Sequence, residues 1–241
     1  RQAHDELERR VEQRTRALTD EVRERQRGER LQAALYGIAD LASSGLGMED
    51  MLRRIHLVVG ELMYARNFYI ALYDGQRDSV RFIYFADAKD TNAYEANREV
   101  PAASLRDSLT LGLIRHGSPV RGPAHQVASV LQVPSGIGLG TPALDFLGVP
   151  IVDDSGVRGA VVVQTYEAGV HYSAEDSALL AYVAQHIMTA LERKTLQAEL
   201  EHRVEDRTRE LAAAAGELRE QVNVREQAER RLTHDALHDA L

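Results

Sequence analysis

The stretch NFYIALYDGQRDSVRFIYFA, from Asn67 to Ala86, decides the fold of the central part of the chain. Two runs rich in β-branched and aromatic residues, Asn67 to Tyr73 and Val80 to Ala86, are separated by the turn residues Asp74 to Asp78. This pattern is typical of two antiparallel strands joined by a short connection. The sequence therefore predicts a β-hairpin here.

A second hairpin is predicted further along the chain. Phe146 to Val152 and Gly159 to Tyr166 flank the turn residues Asp153 to Gly156. Amphipathic spacing predicts three longer helices around the two hairpins, at 31–42, at 49–63 and after the capping residue Ser173. The combination of antiparallel strands and flanking helices indicates an α+β fold.

The stretch from Asp87 to Leu147, between the hairpins, is less regular. Ser108 can cap a short helix that runs to His116 and ends at Gly117, and a second short helix is predicted at 125–133. The sequence therefore predicts an irregular insertion between the two hairpins.

Both ends of the chain carry the same segment. ELERRVEQRTRAL (Glu6 to Leu18) recurs as ELEHRVEDRTREL (Glu199 to Leu211), with identity at ten of thirteen positions. Val22 to Arg30 then aligns with Val222 to Arg230, so the second copy contains seven more residues. Seven residues are one heptad, which a coiled coil accommodates without losing its phase. The repeat predicts two helical arms of related design.

The apolar residues of each arm form one narrow stripe with an eleven-residue component. Such a stripe buries too little surface to stabilise a lone helix, and it predicts a parallel homodimer. Arg14 and Arg207 fall on or beside the stripe, where they either cover the seam with their stems or form a weak layer that permits two registers. The predicted dimer residues are Leu7, Val11, Leu18, Val22, Leu200, Val204, Leu211, Leu218 and Val222.

Composition supports this division and excludes several functions. The aromatic residues all lie between Tyr36 and Tyr182, which places the globular domain at 31–194, between arms at 1–30 and 195–233. A net charge of −8 argues against nucleic-acid binding. The sequence contains no run of about eighteen apolar residues, so no membrane span is predicted in it. The absence of cysteine excludes thiol chemistry and fits a cytoplasmic location.

Several strings resemble one branch of the GAF domain found in bacterial signalling proteins. They are LYGIADLAS (Leu35 to Ser43), ELMYARNFYIALYD (Glu61 to Asp74), FLGVPI (Phe146 to Ile151), VVVQTY (Val161 to Tyr166) and YVAQHIMTALERK (Tyr182 to Lys194). The resemblance implies a GAF-like antiparallel sheet with helices packed on it, and a sensory or regulatory function.

The final segment, LTHDALHDAL (Leu232 to Leu241), resembles the lead-in to a GGDEF diguanylate cyclase domain. This resemblance implies that 234–241 begins a linker to an output domain that makes cyclic di-GMP and that this chain lacks. Two alternatives stay open: the sensor region of a histidine kinase, with His234 or His238 as a phospho-acceptor, and a ligand-free dimerisation spacer.

No catalytic or metal residue is predicted. Gly136, Gly138 and Gly140 form a GxGxG run without the preceding strand and following helix of a phosphate-binding turn. His234 and His238 have the spacing of two zinc ligands, but the intervening glutamate base and a third ligand are not evident. A flexible loop and a polar helix face, respectively, account for these residues.

The resemblance also implies a cavity between the sheet and the insertion, where GAF relatives bind cyclic nucleotides, tetrapyrroles, haem or small metabolites. The NKFDE pattern of the cyclic-nucleotide subset is missing, and a covalent bilin would need a cysteine, so the cofactor stays open. Structural roles are the alternative, since His116 adjoins a helix end and the arginines suit solvent. The candidate ligand-binding residues are Tyr84, Tyr94, Arg115, His116, Arg121, His125 and Gln164.

A mechanism of transmission follows from the absence of helix breakers. Neither proline nor glycine occurs from Ser173 to Ala215, so we expect the closing helix of the domain to continue into the second arm. The first arm is expected to enter the opening helix equally directly. A change in the domain would then rotate or re-register the dimeric coil, with Gly216 as its softest point.

Overall fold

The computed structural model describes residues 2–90, 97–133 and 140–238. The chain divides into two compact units, Arg1–Ala190 and Leu191–Leu241. The helices are α1 (Gln2–Ser43), α2 (Met48–Leu62), α3 (Leu109–His116), α4 (Ala124–Val130) and α5 (Ala174–His238), and the strands are β1 (Asn67–Asp74), β2 (Ser79–Ala86), β3 (Glu99–Pro101), β4 (Val120–Pro123), β5 (Asp145–Asp153) and β6 (Gly156–Thr165).

The first unit is built on one antiparallel sheet with the strand order β3-β2-β1-β6-β5-β4. Both predicted hairpins are confirmed, and they meet through β1 and β6, where Phe68 pairs with Val163. Gly159 of β6 lies against the backbone of β1, where a side chain would overlap the carbonyl oxygen of Ala71. The close approach of the two central strands therefore requires glycine at this position.

One face of the sheet is covered by α2. The His56 ring stacks on Phe68 with 4.8 Å between ring centroids, and Leu52 and Ile55 are fully buried beside it. The joint burial of Leu52 and Ile55 follows from their spacing, because residues three and four apart share one helix face. Burial of this face anchors the helix to the hairpin.

The opposite face of the sheet is covered by the insertion. Tyr69, Phe82, Phe146 and Val162 of the sheet share one buried apolar cluster with residues of α3 and α4. The predicted cap of α3 is confirmed, since the backbone N–H of Leu111 donates to the Ser108 hydroxyl at 3.0 Å. The predicted end is confirmed as well, because Gly117 adopts a left-handed φ of 72°.

Three features differ from the predictions. The strands β3 and β4 were not predicted, and the second short helix spans Ala124–Val130 rather than 125–133. Both missed strands are edge strands of three or four residues, too short for an alternating pattern, and both contain proline. Edge positions tolerate proline because one side of the strand needs no hydrogen-bond partner.

The long helices are continuous, as the lack of helix breakers predicted. The arm and the opening helix of the domain form the single helix α1, and α5 extends over 65 residues and includes Gly216. Ser173 caps α5 reciprocally, because its hydroxyl accepts from the Asp176 N–H while the Asp176 carboxylate accepts from the Ser173 N–H. This is a capping box of the kind that defines a helix start.

Candidate ligand site and helical seam

A cluster of four polar residues lies at one end of the central strands. We call it the Asp87 cluster, and it consists of Asn67, Asp87, Gln164 and Tyr166. The Asp87 side chain follows β2 directly, and the residue is only 8% exposed. One carboxylate oxygen, Oδ2, accepts from Gln164 Nε2 and from the Tyr166 hydroxyl, both at 2.9 Å. The other oxygen, Oδ1, accepts from the backbone N–H groups of Lys89 and Asp90 at 2.9 Å.

Asn67 extends this cluster to the backbone of β6 and of the segment that follows β2. It is fully buried, and its Nδ2 donates to the Gln164 carbonyl at 2.9 Å while its Oδ1 accepts from the Ala88 N–H at 2.8 Å. The buried carboxylate and amide therefore fix the start of the insertion against the end of β6. A buried carboxylate with this many donors is well compensated for its loss of water.

The same contacts set the ionisation of Tyr166. Burial raises the pKa of the Tyr166 phenol far above its usual range, and the hydrogen bond to Asp87 and the negative charge of that carboxylate raise it further. The Lys89 ammonium lies 4.7 Å from the centre of the Tyr166 ring, in a cation–π arrangement. Tyr166 therefore acts as a neutral hydrogen-bond donor rather than as a base.

A second link joins two parts of the insertion. The Asp90 carboxylate accepts from the Thr141 N–H at 2.9 Å and from the Thr141 hydroxyl at 2.8 Å. Gly140 precedes this residue with a left-handed φ of 83°, and an added Cβ there would meet Asp90 Oδ2 at 2.8 Å. The left-handed backbone and the close approach of Asp90 each favour glycine at position 140.

Aromatic side chains continue from the Asp87 cluster along the insertion face. Tyr69 contacts Phe85 with ring centroids 5.6 Å apart and Phe82 with centroids 5.9 Å apart. The Tyr69 hydroxyl hydrogen-bonds the Thr110 hydroxyl of α3 at 3.0 Å. Apolar rings with a few convergent polar groups are what a site for a small molecule requires. This region, between sheet and insertion, is the candidate ligand site.

Among the predicted ligand-binding residues, Gln164 belongs to the Asp87 cluster. Tyr84 lies on the opposite face of the sheet, where its hydroxyl hydrogen-bonds His56 Nδ1 at 2.8 Å and its ring contacts Phe68. Burial raises the pKa of the Tyr84 phenol above its ordinary value. The structure does not bring Tyr84 and Gln164 together.

The basic candidates lie at the surface of the insertion. Arg115, His116 and His125 are exposed, and His116 ends α3 immediately before Gly117. Arg121 Nη1 donates to the Tyr172 carbonyl at 3.2 Å, which ties β4 to the segment before α5. Tyr94, Gly136 and Gly138 lie outside the described residues.

Asp87 and Tyr166 were missed as candidates. Asp87 is separated from its partner Gln164 by 77 residues, so no local spacing connects them. The available signal was a single acidic residue directly after the second strand of the first hairpin. Without knowledge that β1 pairs with β6, that signal does not distinguish a buried acceptor from a turn residue.

The second feature of functional interest is the apolar stripe of the arms. Within one chain its leucines and valines are exposed to solvent: Leu211 is 70% exposed, and Leu200 and Val204 are each 59% exposed. The others within the described side chains are also exposed: Leu18, Val22, Leu218 and Val222. The side chains of Leu7, Val11, His234, Asp235 and His238 lie outside the described residues.

The described residues contain no cluster of metal-binding side chains. Across 2–90, 97–133 and 140–238, no group of three or more His, Asp or Glu side chains is arranged to hold a metal ion. A search of the same residues finds no helix that is long and apolar enough to cross a membrane.

Comparison with known families decides the fold family. Residues 45–192 match the model of a family described as GAF domain. The chain belongs to the GAF domain family. The α+β prediction is confirmed, with a six-stranded antiparallel sheet, helices packed on it and long helices at both ends, of which the C-terminal one fits the predicted coiled-coil flank. GAF domains are typically regulatory.

Solved structures, two of them GAF domains, show the same fold at low sequence identity. The GAF domain of a phosphoenolpyruvate-protein phosphotransferase from Acinetobacter is 15% identical, with a TM-score of 0.54 over 68% of this chain and 94% of that one. The corresponding domain from Coxiella burnetii is 15% identical, with a TM-score of 0.53 over 71% of this chain and 98% of that one. Residues 122 to 287 of a methyl-accepting chemotaxis protein are 16% identical, with a TM-score of 0.53 over 66% and 98%. No curated protein sequence matches the chain.

Proposed function

We propose that this chain is a sensory GAF module that forms a parallel homodimer through its helical arms and regulates a diguanylate cyclase domain encoded after it. The observation that carries the proposal is the change of environment along α5. Its early apolar residues Leu180, Val183 and Ile187 are fully buried, whereas Leu200, Leu211 and Leu218 are about 60% to 70% exposed. Exposed leucines at coiled-coil spacing need a partner helix.

A second copy of the same chain is the partner that best fits this stripe. In a parallel dimer each leucine faces its own counterpart, so every apolar layer is matched without any further design. The flanking residues carry both signs, with ion pairs such as Arg209 to Glu205 and Arg209 to Asp206 along the helix surface. A mixed-charge flank suits association with an identical helix, because no single-sign repulsion opposes it.

The sensory part of the proposal rests on the candidate ligand site. A ligand that competes for Gln164 or Tyr166 would release donors from Asp87 and alter the start of the insertion. Because Gln164 is one residue from the end of β6, such a change lies close in sequence to Ser173 and the start of α5. Ligand binding would thus favour one register or rotation of the arms over another.

The cyclase assignment rests on the likeness of Leu232 to Leu241 to a GGDEF lead-in. The coding sequence that follows Leu241 tests it directly. We expect a GGDEF catalytic motif within the next domain, whereas a kinase catalytic domain there would contradict the assignment.

The dimer is tested by sedimentation of the complete chain at micromolar concentration. We expect a dimer for the unmodified chain and a monomer for Leu211→Asp, because a carboxylate in the seam loses its hydration when the helices pair. Ala213→Asp is the matched control. It adds the same group two residues away, on the opposite side of α5, and is expected to remain dimeric. Monomeric behaviour of the unmodified chain would contradict the proposal.

Ligand binding is tested by native mass spectrometry of the protein purified without denaturation. Retention of a small-molecule mass is expected, and Gln164→Ala should reduce it. Ala213→Asp, far along the chain in the second arm, should leave the retained mass unchanged. A protein that carries no bound mass, and that no metabolite extract loads, would favour the ligand-free spacer.

A further inference from the structure

The sequences of the two arms are similar enough that a first arm could pair with a second arm. The heptad inserted in the second arm affects whether such a mixed pair is stable. The shared segment gives both arms the seam residues Leu-Val-Leu with the same spacing of four and seven. In the first arm the next apolar residue, Val22, follows Leu18 by four residues. In the second arm Leu218 follows Leu211 by seven, and Val222 follows Leu218 by four.

A mixed pair aligned on the shared segment fails beyond it. With Leu18 opposite Leu211, Arg25 stands opposite Leu218 and Glu29 opposite Val222. In the structure Arg25 Nε donates to the Glu29 carboxylate at 3.0 Å, and both side chains are exposed, at 80% and 63%. A mixed pair would bring this hydrated ion pair against two apolar side chains that need burial.

The other mixed alignment also fails, at the opposite end of the arm. If Val22 stands opposite Val222, then Leu18 meets Leu218 and the later layers match. However, Leu7 then faces Arg207 and Val204 faces His4. Either alignment leaves at least two apolar layers of the pair without apolar partners. Pairing of like arms matches every layer.

We propose that the seven inserted residues, Ala212 to Leu218, make each arm pair with its own kind and prevent first arms from pairing with second arms. The inference rests on the proposed dimer, and it assigns to the insertion a role in partner choice. Specificity here arises from a penalty on the wrong pair, which is how coiled coils commonly select partners. Without the insertion, ten identities in thirteen positions would make mixed pairing nearly as favourable as pairing of like arms.

The consequence concerns assembly. Pairing of like arms closes a dimer with two-fold symmetry, because the same surface meets itself. Pairing of a first arm with a second arm is head-to-tail, and such contacts lead to closed rings or to open chains of molecules. The inserted heptad would therefore keep the module a discrete dimer.

The natural absence of cysteine permits a direct test on the complete chain. Leu18→Cys and Leu211→Cys occupy equivalent positions of the two arms. The two variants are mixed, unfolded and refolded together, and then oxidised, and mass spectrometry of the linked peptides separates like from mixed disulfides. We expect like disulfides to exceed mixed ones by at least about tenfold, given two unmatched layers in a mixed pair.

Deletion of Ala212 to Leu218 from the Leu211→Cys chain gives both arms the same spacing. Mixed and like disulfides should then approach about equal amounts, as for partners of similar affinity. Gly216→Ala, in the Leu211→Cys chain of full length, is the matched control for loss of the glycine and should keep the preference for like disulfides.

Two results would overturn this inference and leave the proposed dimer standing. They are abundant mixed disulfides between chains of natural length, and an unchanged preference for like disulfides after the deletion. Absence of every disulfide between arms would contradict the dimer itself, so failure of the inference and failure of the proposed function are distinguishable.

Discussion

The early and late parts of α5 carry similar apolar residues in opposite environments. Leu180 is fully buried in the domain, and Leu211 is 70% exposed in the arm, although both belong to one continuous helix. The early part is held by contacts within its own chain, so its sequence encodes the fold. The apolar stripe of the late part is exposed to solvent among the described side chains, and this exposure is the basis of the proposed association.

The largest contrast should appear when the same substitution is made in the two parts. Leu180→Ala leaves a cavity in the packed core and should lower the free energy of unfolding by ~2 to 5 kcal/mol. Leu211→Ala should leave core unfolding nearly unchanged and weaken dimerisation. Tyrosine fluorescence during urea unfolding reports the core selectively, because all nine tyrosines lie between Tyr36 and Tyr182. Equal losses of core stability would break the contrast.

A polar pair of substitutions tests the contrast again. Asp87→Ala removes the acceptor for two side chains and two backbone N–H groups, and should destabilise the core by about 1 to 3 kcal/mol. Asp206→Ala in the arm removes an exposed partner of Arg209, with an expected cost of about 0.5 kcal/mol or less. Thermal unfolding followed at the core tyrosines and by helix circular dichroism measures both. A larger loss from Asp206→Ala would show that the arm is held by specific ion pairs.

Glycine to alanine should have opposite signs in the two regions. Gly159→Ala places a Cβ against the Ala71 carbonyl oxygen and should destabilise the core by about 1 to 3 kcal/mol. The Cβ of Gly216→Ala meets no atom within 4 Å among the described residues, and the substitution should stabilise the arm by about 0.5 to 1 kcal/mol, because alanine is the better helix former. Circular dichroism of the two variants during heating measures both signs. Destabilisation by Gly216→Ala would indicate a close interhelical contact at that point.

The smallest contrast concerns alkaline pH. The pKa of Tyr166 is raised above the usual tyrosine value of about 10, first by burial and then by Asp87. A raised pKa in the folded state contributes stability that is present below the unfolded pKa and is lost as pH rises above it. The core should therefore weaken above about pH 10, whereas the tyrosine-free arms should not respond through this group. As pH rises, we expect phenolate absorbance to increase before helical circular dichroism decreases. Tyr166→Phe should reduce the pH dependence of core stability. Loss of helical signal before phenolate formation would contradict this order.

Local patterns predicted the two hairpins, both helix caps and the continuity of the long helices. Ser108, Gly117 and Ser173 act within a few residues of their own positions, so their roles follow from spacing alone. The edge strands β3 and β4 were inaccessible in this way, because pairing with a neighbour rather than an internal pattern makes them strands.

The sequence identified one residue of the candidate site but not the arrangement of the site. Gln164 was among the residues expected at the cavity that the GAF resemblance implies, and it lies in the Asp87 cluster. Asp87 and Tyr166 acquire their roles only when β1 and β6 pair and bring distant segments together. The positions of Arg115, His116 and His125 at the surface follow from the packing of α3 and α4, which residue type alone does not specify.

A scan of single cysteines from Leu200 to Val222 in the complete chain, with oxidation at each position, tests the central claim most directly. We expect disulfide dimers with maxima at Leu200, Val204, Leu211, Leu218 and Val222, because in-register parallel helices place these residues opposite themselves. We expect minima on the far side of the helix, at His202, Ala213 and Glu220. A flat profile, or maxima on that far side, would contradict the claim that the exposed stripe is the dimer seam.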